Sequence, residues 1–133
     1  MKNKKFIVTL FLILISVVYV GQNSVEFDKT PAVKNALKGF SSDISGSWAI
    51  VGSPQRDLNN KKSIGGVLFY RLAEGKWNLF QEIYPDDLKE LNNFGTKVSL
   101  DGNTAVISSI GDHEKGLFSG AVYVYEFNYD DQT

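Results

Sequence analysis

The sequence predicts an all-β protein of antiparallel four-stranded sheets, and three observations carry that reading. Beyond Gly39, short β-branched and aromatic runs alternate with Gly, Asn and Asp. These runs pair off as hairpins of two kinds. The second half of the chain then repeats the first, and a period in this range marks stacked supersecondary units.

The clearest hairpin is Thr96 to Leu100, a turn through Asp101-Gly102-Asn103, and Thr104 to Ser108. Asp-Gly between alternating apolar runs is a strong hairpin signal, because Gly accepts a positive φ at the turn. Ile44 to Gly52, turning at Gly46-Ser47, has the same shape. The second kind runs Gly66 to Leu72, turns through Ala73 to Lys76 and returns along Trp77 to Ile83. Its counterpart, Gly120 to Phe127, is half a hairpin that runs out into 128–133. This gives seven strands, with an eighth expected just past Thr133.

A shift of 56 places Gly46 on Gly102, Ala49 on Ala105, Ile50 on Val106, Val51 on Ile107 and Ser53 on Ser109. A shift of 55 places Gly65 on Gly120, Val67 on Val122 and Tyr70 on Tyr125. A unit of this kind has two apolar sheet faces and cannot bury both alone. Two sheets with one exposed apolar face are therefore expected.

The N-terminus sets the compartment. Lys2, Lys4 and Lys5 precede an apolar run from Phe6 to Val20 broken only by Thr9 and Ser16, which reads as a signal peptide over 1–21. Fifteen residues fall short of the roughly 20 that span a bilayer, so the segment touches a membrane only if it stays uncleaved. Residues 22–38 read as a linker, with a short amphipathic turn at Ala32, Val33, Ala36 and Leu37. The absence of cysteine excludes a lipid-modified N-terminal Cys, a disulfide framework and a thiolate metal site. Loss of the signal removes three lysines and moves the formal charge from −1 to −4. An acidic mature chain argues against a nucleic-acid backbone as partner.

The stretch Phe94-Gly95 through Ser109, followed by Gly120-Ala121-Val122-Tyr123-Val124-Tyr125, resembles an FG-GAP repeat, the unit of integrin α-subunit propellers and of many secreted bacterial propellers. Phe94-Gly95 matches the Phe-Gly of the repeat, and Ser108-Ser109-Ile110 stands where the family has Gly-Ala-Pro. In the first copy Gly52-Ser53-Pro54 matches that second element more closely, while Gly39-Phe40 occupies the Phe-Gly region in reversed order. The resemblance implies an incomplete β-propeller of about two blades: a first repeat at 39–93, an incomplete second at 94–127 and a polar tail at 128–133. Further blades or other copies are then needed to close a ring.

Many such repeats carry a calcium loop, and hard cations need several converging oxygens. Here the first loop offers Asp57, Asn59 and Asn60, followed by Lys61 and Lys62, which oppose a divalent ion. The second offers Asp112 and Glu114 beside Lys115. Solvated loop charge is the reading these residues favour, and Asp112 and Glu114 are the candidate Ca2+ ligands. His113 between them has no Ser, Cys or second His in a recognisable arrangement with it, and reads as a surface residue. Asp86-Asp87 opens a connector in which Pro85 to Leu91 reads as a capped helical turn. Tyr70, Trp77, Phe80, Tyr123 and Tyr125 alternate along strands, which favours packing over a glycan platform.

The expectation is a secreted or cell-surface, non-enzymatic binding, adhesion or scaffold module that contacts protein or glycan partners through its loop edges. A propeller segment accompanying a secreted hydrolase, or a structural unit without ligand, are the alternatives.

Overall fold

The computed structural model describes residues 33–128, so the expected signal at 1–21, residues 22–32 of the linker and residues 129–133 lie outside the described residues. Seven strands follow one another: β1 Ser41–Ser45, β2 Trp48–Gly52, β3 Val67–Ala73, β4 Lys76–Ile83, β5 Phe94–Asp101, β6 Thr104–Ser109 and β7 Ala121–Glu126. Sheet I is the antiparallel meander β1-β2-β3-β4, and sheet II is β5-β6-β7.

The turns fix the register. Ser45 pairs with Trp48 across Gly46-Ser47, and Asp101 pairs with Thr104 across Gly102-Asn103. Both turn glycines hold positive φ, 58° and 52°, as the two-residue hairpin loop demands. Alternation then sends Trp48, Ile50, Val67 and Phe69 of sheet I toward sheet II, while Ala49, Val51, Leu68 and Tyr70 face the other way.

The core between the sheets joins Ile50, Val67 and Phe69 to Phe94, Leu100, Ala105 and Ile107, all 5% exposed or less. Phe94 meets Tyr123 edge-on at 5.2 Å, and Phe69 meets Phe127 at 4.3 Å. Such pairs add about 0.5–1.5 kcal/mol each beyond the area they bury. A second cluster, Ala49, Val51, Leu68, Tyr70 and Trp77, is buried on the far face of sheet I. On sheet II the far face is open: Val106, Val122 and Val124 are 41%, 67% and 62% exposed.

The internal repeat is visible as hydrogen bonding. Ser53 Oγ donates to the Ala36 carbonyl and Ser109 Oγ to the Asn92 carbonyl, each at 2.9 Å. The backbone N–H groups of Gln55 and Gly111 donate to those same two carbonyls. Ala36 thus stands 56 residues before Asn92, and Gly39 before Gly95, the two glycines sharing φ near +90°. The residue in the place of Phe94 is therefore Lys38, so the first copy carries Lys-Gly where the second has Phe-Gly, and the reversed Gly39-Phe40 alignment is corrected by one position.

The connector after β4 also departs from expectation. Residues 85–91 form two tight turns, and no helix occurs among the described residues. The Lys89 N–H, which a helix would direct to the Pro85 carbonyl, goes instead to the Asn92 side chain. Leu91 and Asn93 hold φ of 64° and 53°, which ends any right-handed run.

Candidate functional site

Two regions of the fold are built with more than packing: the seam between the sheets, and the loop between β6 and β7. At the seam, β1 lies beside β5 without backbone pairing, and side chains do the joining. Ser41 Oγ accepts the Val98 N–H at 3.2 Å, Asp43 Oδ2 the Leu100 N–H at 2.8 Å, and Ser45 Oγ the Gly102 N–H at 3.0 Å. The two-residue turn leaves those three N–H groups on the open edge of β5, and the pleat puts Ser41, Asp43 and Ser45 on one face of β1, so the two sets meet in register.

Asp43 is the hinge of this ladder. Its Oδ1 accepts the Ile44 N–H at 2.9 Å, and Ser99 Oγ donates to Oδ2 at 3.2 Å. The Leu100 and Ile44 N–H groups hold its carboxyl below the ordinary carboxylate value.

At the far end of the seam the sheets approach through backbone alone. A Cβ on Gly52 would lie 2.0 Å from the Gly95 carbonyl oxygen, and one on Gly95 would lie 2.6 Å from that of Gly66. The loop 62–66 then runs along 91–94: Leu91, Asn93 and Phe94 donate to the carbonyls of Lys62, Ser63 and Ile64 at 2.9 to 3.0 Å. The Phe-Gly of the second copy packs here as expected, with Phe94 fully buried and its glycine at the close approach.

The β6–β7 loop is held by Asp112. Its carbonyl accepts the Gly120 N–H at 2.9 Å and Ser119 Oγ at 3.2 Å, and its Oδ1 accepts the Glu114 N–H at 2.9 Å. The candidate ligands Asp112 and Glu114 are thus neighbours in one turn, with an Asp112 oxygen serving the loop's own backbone. Among the described residues no three His, Cys, Asp or Glu groups gather as a metal cluster. His113 stacks edge-on against Phe118 at 5.8 Å. The loop holds its largest apolar side chains outward, Leu117 at 82% and Phe118 at 74% exposed. Phe118 sits at φ 56°, a left-handed conformation uncommon for a bulky residue.

In the first loop, Asp57 Oδ1 accepts the Ser63 N–H at 2.8 Å, and Lys61 Nζ reaches the Leu88 carbonyl at 3.2 Å. Leu58, Lys61, Ile64, Tyr84, Pro85 and Leu88 line a cleft of about 350 Å3 beside it. Arg56 pairs with Glu82 at 2.7 Å, and the Tyr84 hydroxyl donates to the same carboxylate. Burial first, then Glu82, raises the Tyr84 pKa.

Asp86 and Asp87 do not flank a common point. Asp87 Oδ2 accepts the Tyr123 hydroxyl at 3.2 Å. Tyr123 is pushed up to about 12, by burial first and then by Asp87. The aromatics divide as their alternation predicts: Tyr70 and Trp77 are buried, Tyr123 and Tyr125 pack against the intersheet core, and Phe80 lies edge-on to Trp48 at 4.9 Å.

The Ser41-Asp43-Ser45 ladder is the element that sequence reasoning missed. Its signal was present as polar residues at every second position of a strand whose hairpin had been read.

No curated protein matches the chain at a significant level. Residues 77–125 match the family model described as FG-GAP repeat. The matched segment takes β4 from sheet I and all three strands of sheet II, so the sequence repeat is offset by one strand from the sheets, and over residues 77–125 the chain is similar to the FG-GAP repeat.

Proposed function

We propose that the protein is an exported, non-enzymatic binding or adhesion module that grips a protein partner through the β6–β7 loop. The observation that carries this reading is the presentation of Leu117 and Phe118, two large apolar side chains held in solvent by a loop that Asp112 and Ser119 tie together. Apolar side chains grouped on a fixed loop are what a contact surface requires. The FG-GAP repeat supports a propeller-type binding module at the level of class, and the apolar run at Phe6 to Val20 supports export.

The test is binding of the purified full chain to a panel of immobilised extracellular proteins and to a glycan array, beside a Leu117→Ser, Phe118→Ser variant. Binding within the protein panel that the variant loses is the expected result. Silence on both supports, or equal binding by both chains, overturns the reading.

A further inference from the structure

The chain contains one Asp-Gly pair, Asp101-Gly102, and no Asn-Gly pair. It lies at the turn from β5 to β6, where Asp101 is the last residue of β5, pairs with Thr104 and is exposed. Gly102 holds φ of 52°, and a Cβ placed on it would meet nothing within 4 Å. The space beside Gly102 is open, and the glycine has no side chain to shield its own nitrogen.

That juxtaposition has a chemistry of its own. A backbone nitrogen that follows an aspartate can attack the side-chain Cγ: the N–Cγ bond forms, the Cγ–OH bond breaks, and the hydroxyl leaves with the nitrogen's proton as water. The product is a cyclic succinimide. Water then adds to one of its two carbonyls. Addition at Cγ restores aspartate. Addition at the main-chain carbonyl breaks its C–N bond and leaves the chain running through Cγ, an isoaspartyl linkage of unchanged mass with one extra backbone atom. The other aspartates among the described residues precede Ile44, Leu58, Asp87, Leu88 and His113, whose side chains obstruct the attack.

The fold opposes the attack at Gly102. Its N–H donates to Ser45 Oγ at 3.0 Å, across the seam from β1. While that bond stands, the nitrogen keeps its proton and the N–H points at β1, whereas the attack requires the proton to leave and the nitrogen to turn toward Cγ. The internal repeat supplies a comparison. Ser45-Gly46 occupies the same turn in the first copy, with a hydroxyl where Asp101 has a carboxyl, so that turn cannot close an imide.

We propose that Asp101-Gly102 is a self-modification site, at which the folded chain converts through the succinimide to isoaspartate, and that Ser45 restrains the conversion. The extra backbone atom lengthens the two-residue turn, so Asp101 loses its register with Thr104 and Gly102 leaves Ser45. Conversion thus opens the turn end of the Ser41-Asp43-Ser45 ladder.

The test is prolonged incubation of the purified full chain at neutral pH, native and in denaturant, beside Ser45→Ala, Ser45→Thr and Asp101→Ser variants, with circular dichroism confirming the fold of each native sample. Peptide mapping reads isoaspartate as a product of unchanged mass that resists an aspartate-specific protease, and the succinimide as a product lighter by one water. The native parent should convert more slowly than the denatured parent. Native Ser45→Ala should convert about fivefold faster than the native parent, the factor that one hydrogen bond of ordinary net strength supplies. Ser45→Thr, which keeps a hydroxyl, should convert at the parent rate. In denaturant the parent and Ser45→Ala should convert alike, and Asp101→Ser should form no product at this turn. Absence of isoaspartate at Asp101 in both the native parent and native Ser45→Ala overturns the site. A native parent as fast as the denatured one, or native parent and native Ser45→Ala at equal rates, overturns the restraint by Ser45.

Discussion

The covered face of sheet I and the open face of sheet II occupy equivalent lattice positions and are filled differently. Gly52 becomes Ser108, Ile50 becomes Val106, Phe69 becomes Val124, Trp48 becomes Thr104 and Arg71 becomes Glu126. On the inner strand, Ser41, Asp43 and Ser45 become Lys97, Ser99 and Asp101. Every change removes bulk, closes the backbone approach or alters charge. The strands repeat because each sheet needs the same pleat and turns. Among the described residues, one face is shaped by a neighbouring sheet and the other carries none.

The sharpest way to break that comparison is at the glycine. Gly52→Val would drive a side chain into the Gly95 carbonyl, and it should destabilise the protein by about 3 kcal/mol in chemical denaturation. The equivalent change in reverse, Ser108→Gly, loses the two hydrogen bonds of Ser108 Oγ with the Lys97 backbone, one of them long at 3.4 Å, and should stay within about 1 kcal/mol. If both variants lose the same stability, the two positions are not inequivalent in the way described.

The next test exchanges bulk. Phe69 is 1% exposed and Val124 is 62% exposed. Phe69→Val makes the covered face resemble the open one and should destabilise by about 2 kcal/mol through the cavity it leaves. Val124→Phe makes the open face resemble the covered one, and it should change stability by less than about 0.5 kcal/mol. Denaturant midpoints at low protein concentration, where self-association is negligible, decide both.

This asymmetry also explains which parts of the molecule the sequence made legible. All seven strands could be read, because turn glycines and period-two alternation are local signals that survive without knowledge of what covers a face. Phe94-Gly95 was legible for the same reason. The Asp43 ladder was not, since a polar residue on a strand reads as solvent-facing until the neighbouring edge with its three outward N–H groups is in place. The 85–91 connector failed in a related way: Asn92 lies beyond the apparent helical turn, yet its side chain takes the N–H that the helix needed. At the candidate sites, the position of Asp112 and Glu114 in the β6–β7 loop could be read. The outward Leu117 and Phe118 could not, because apolar loop residues give no period that states which way they point.

The Asp43 ladder has its own test. Its carboxyl is held below the ordinary aspartate value of 3.8, so the folded state binds its proton less readily than the unfolded chain. Its contribution is therefore complete above that value and is lost as pH falls through the lowered folded pKa. Asp43→Asn should destabilise by about 1 kcal/mol at neutral pH and should flatten this part of the acid limb of the stability curve. Ser99→Asp would set a second carboxylate against Asp43, to which Ser99 Oγ donates at 3.2 Å, and should destabilise the seam at neutral pH by like-charge repulsion that acid relieves. An acid limb in Asp43→Asn as steep as in the parent chain would show that the ladder is not electrostatically coupled to folding.

The smallest effect is expected at the other end of the pH scale, on two adjacent residues of β7 that point to opposite faces. Tyr123 faces the core side, donates to Asp87 and is raised to about 12. Because its folded value lies above the unfolded one near 10, its stabilisation is fully present below pH 10 and is lost as pH rises through about 12. Tyr123→Phe should remove that alkaline step and cost about 0.5 kcal/mol or slightly more at neutral pH. Val124→Tyr places a phenol one residue along on the open face, where no burial or carboxylate of Asp87's kind acts on it. Ultraviolet titration of Val124→Tyr in the Tyr123→Phe background should show this phenol ionising near the ordinary value of about 10. If the new tyrosine resists ionisation as Tyr123 does, the face is covered in solution, and the contrast between the two faces fails at its simplest point.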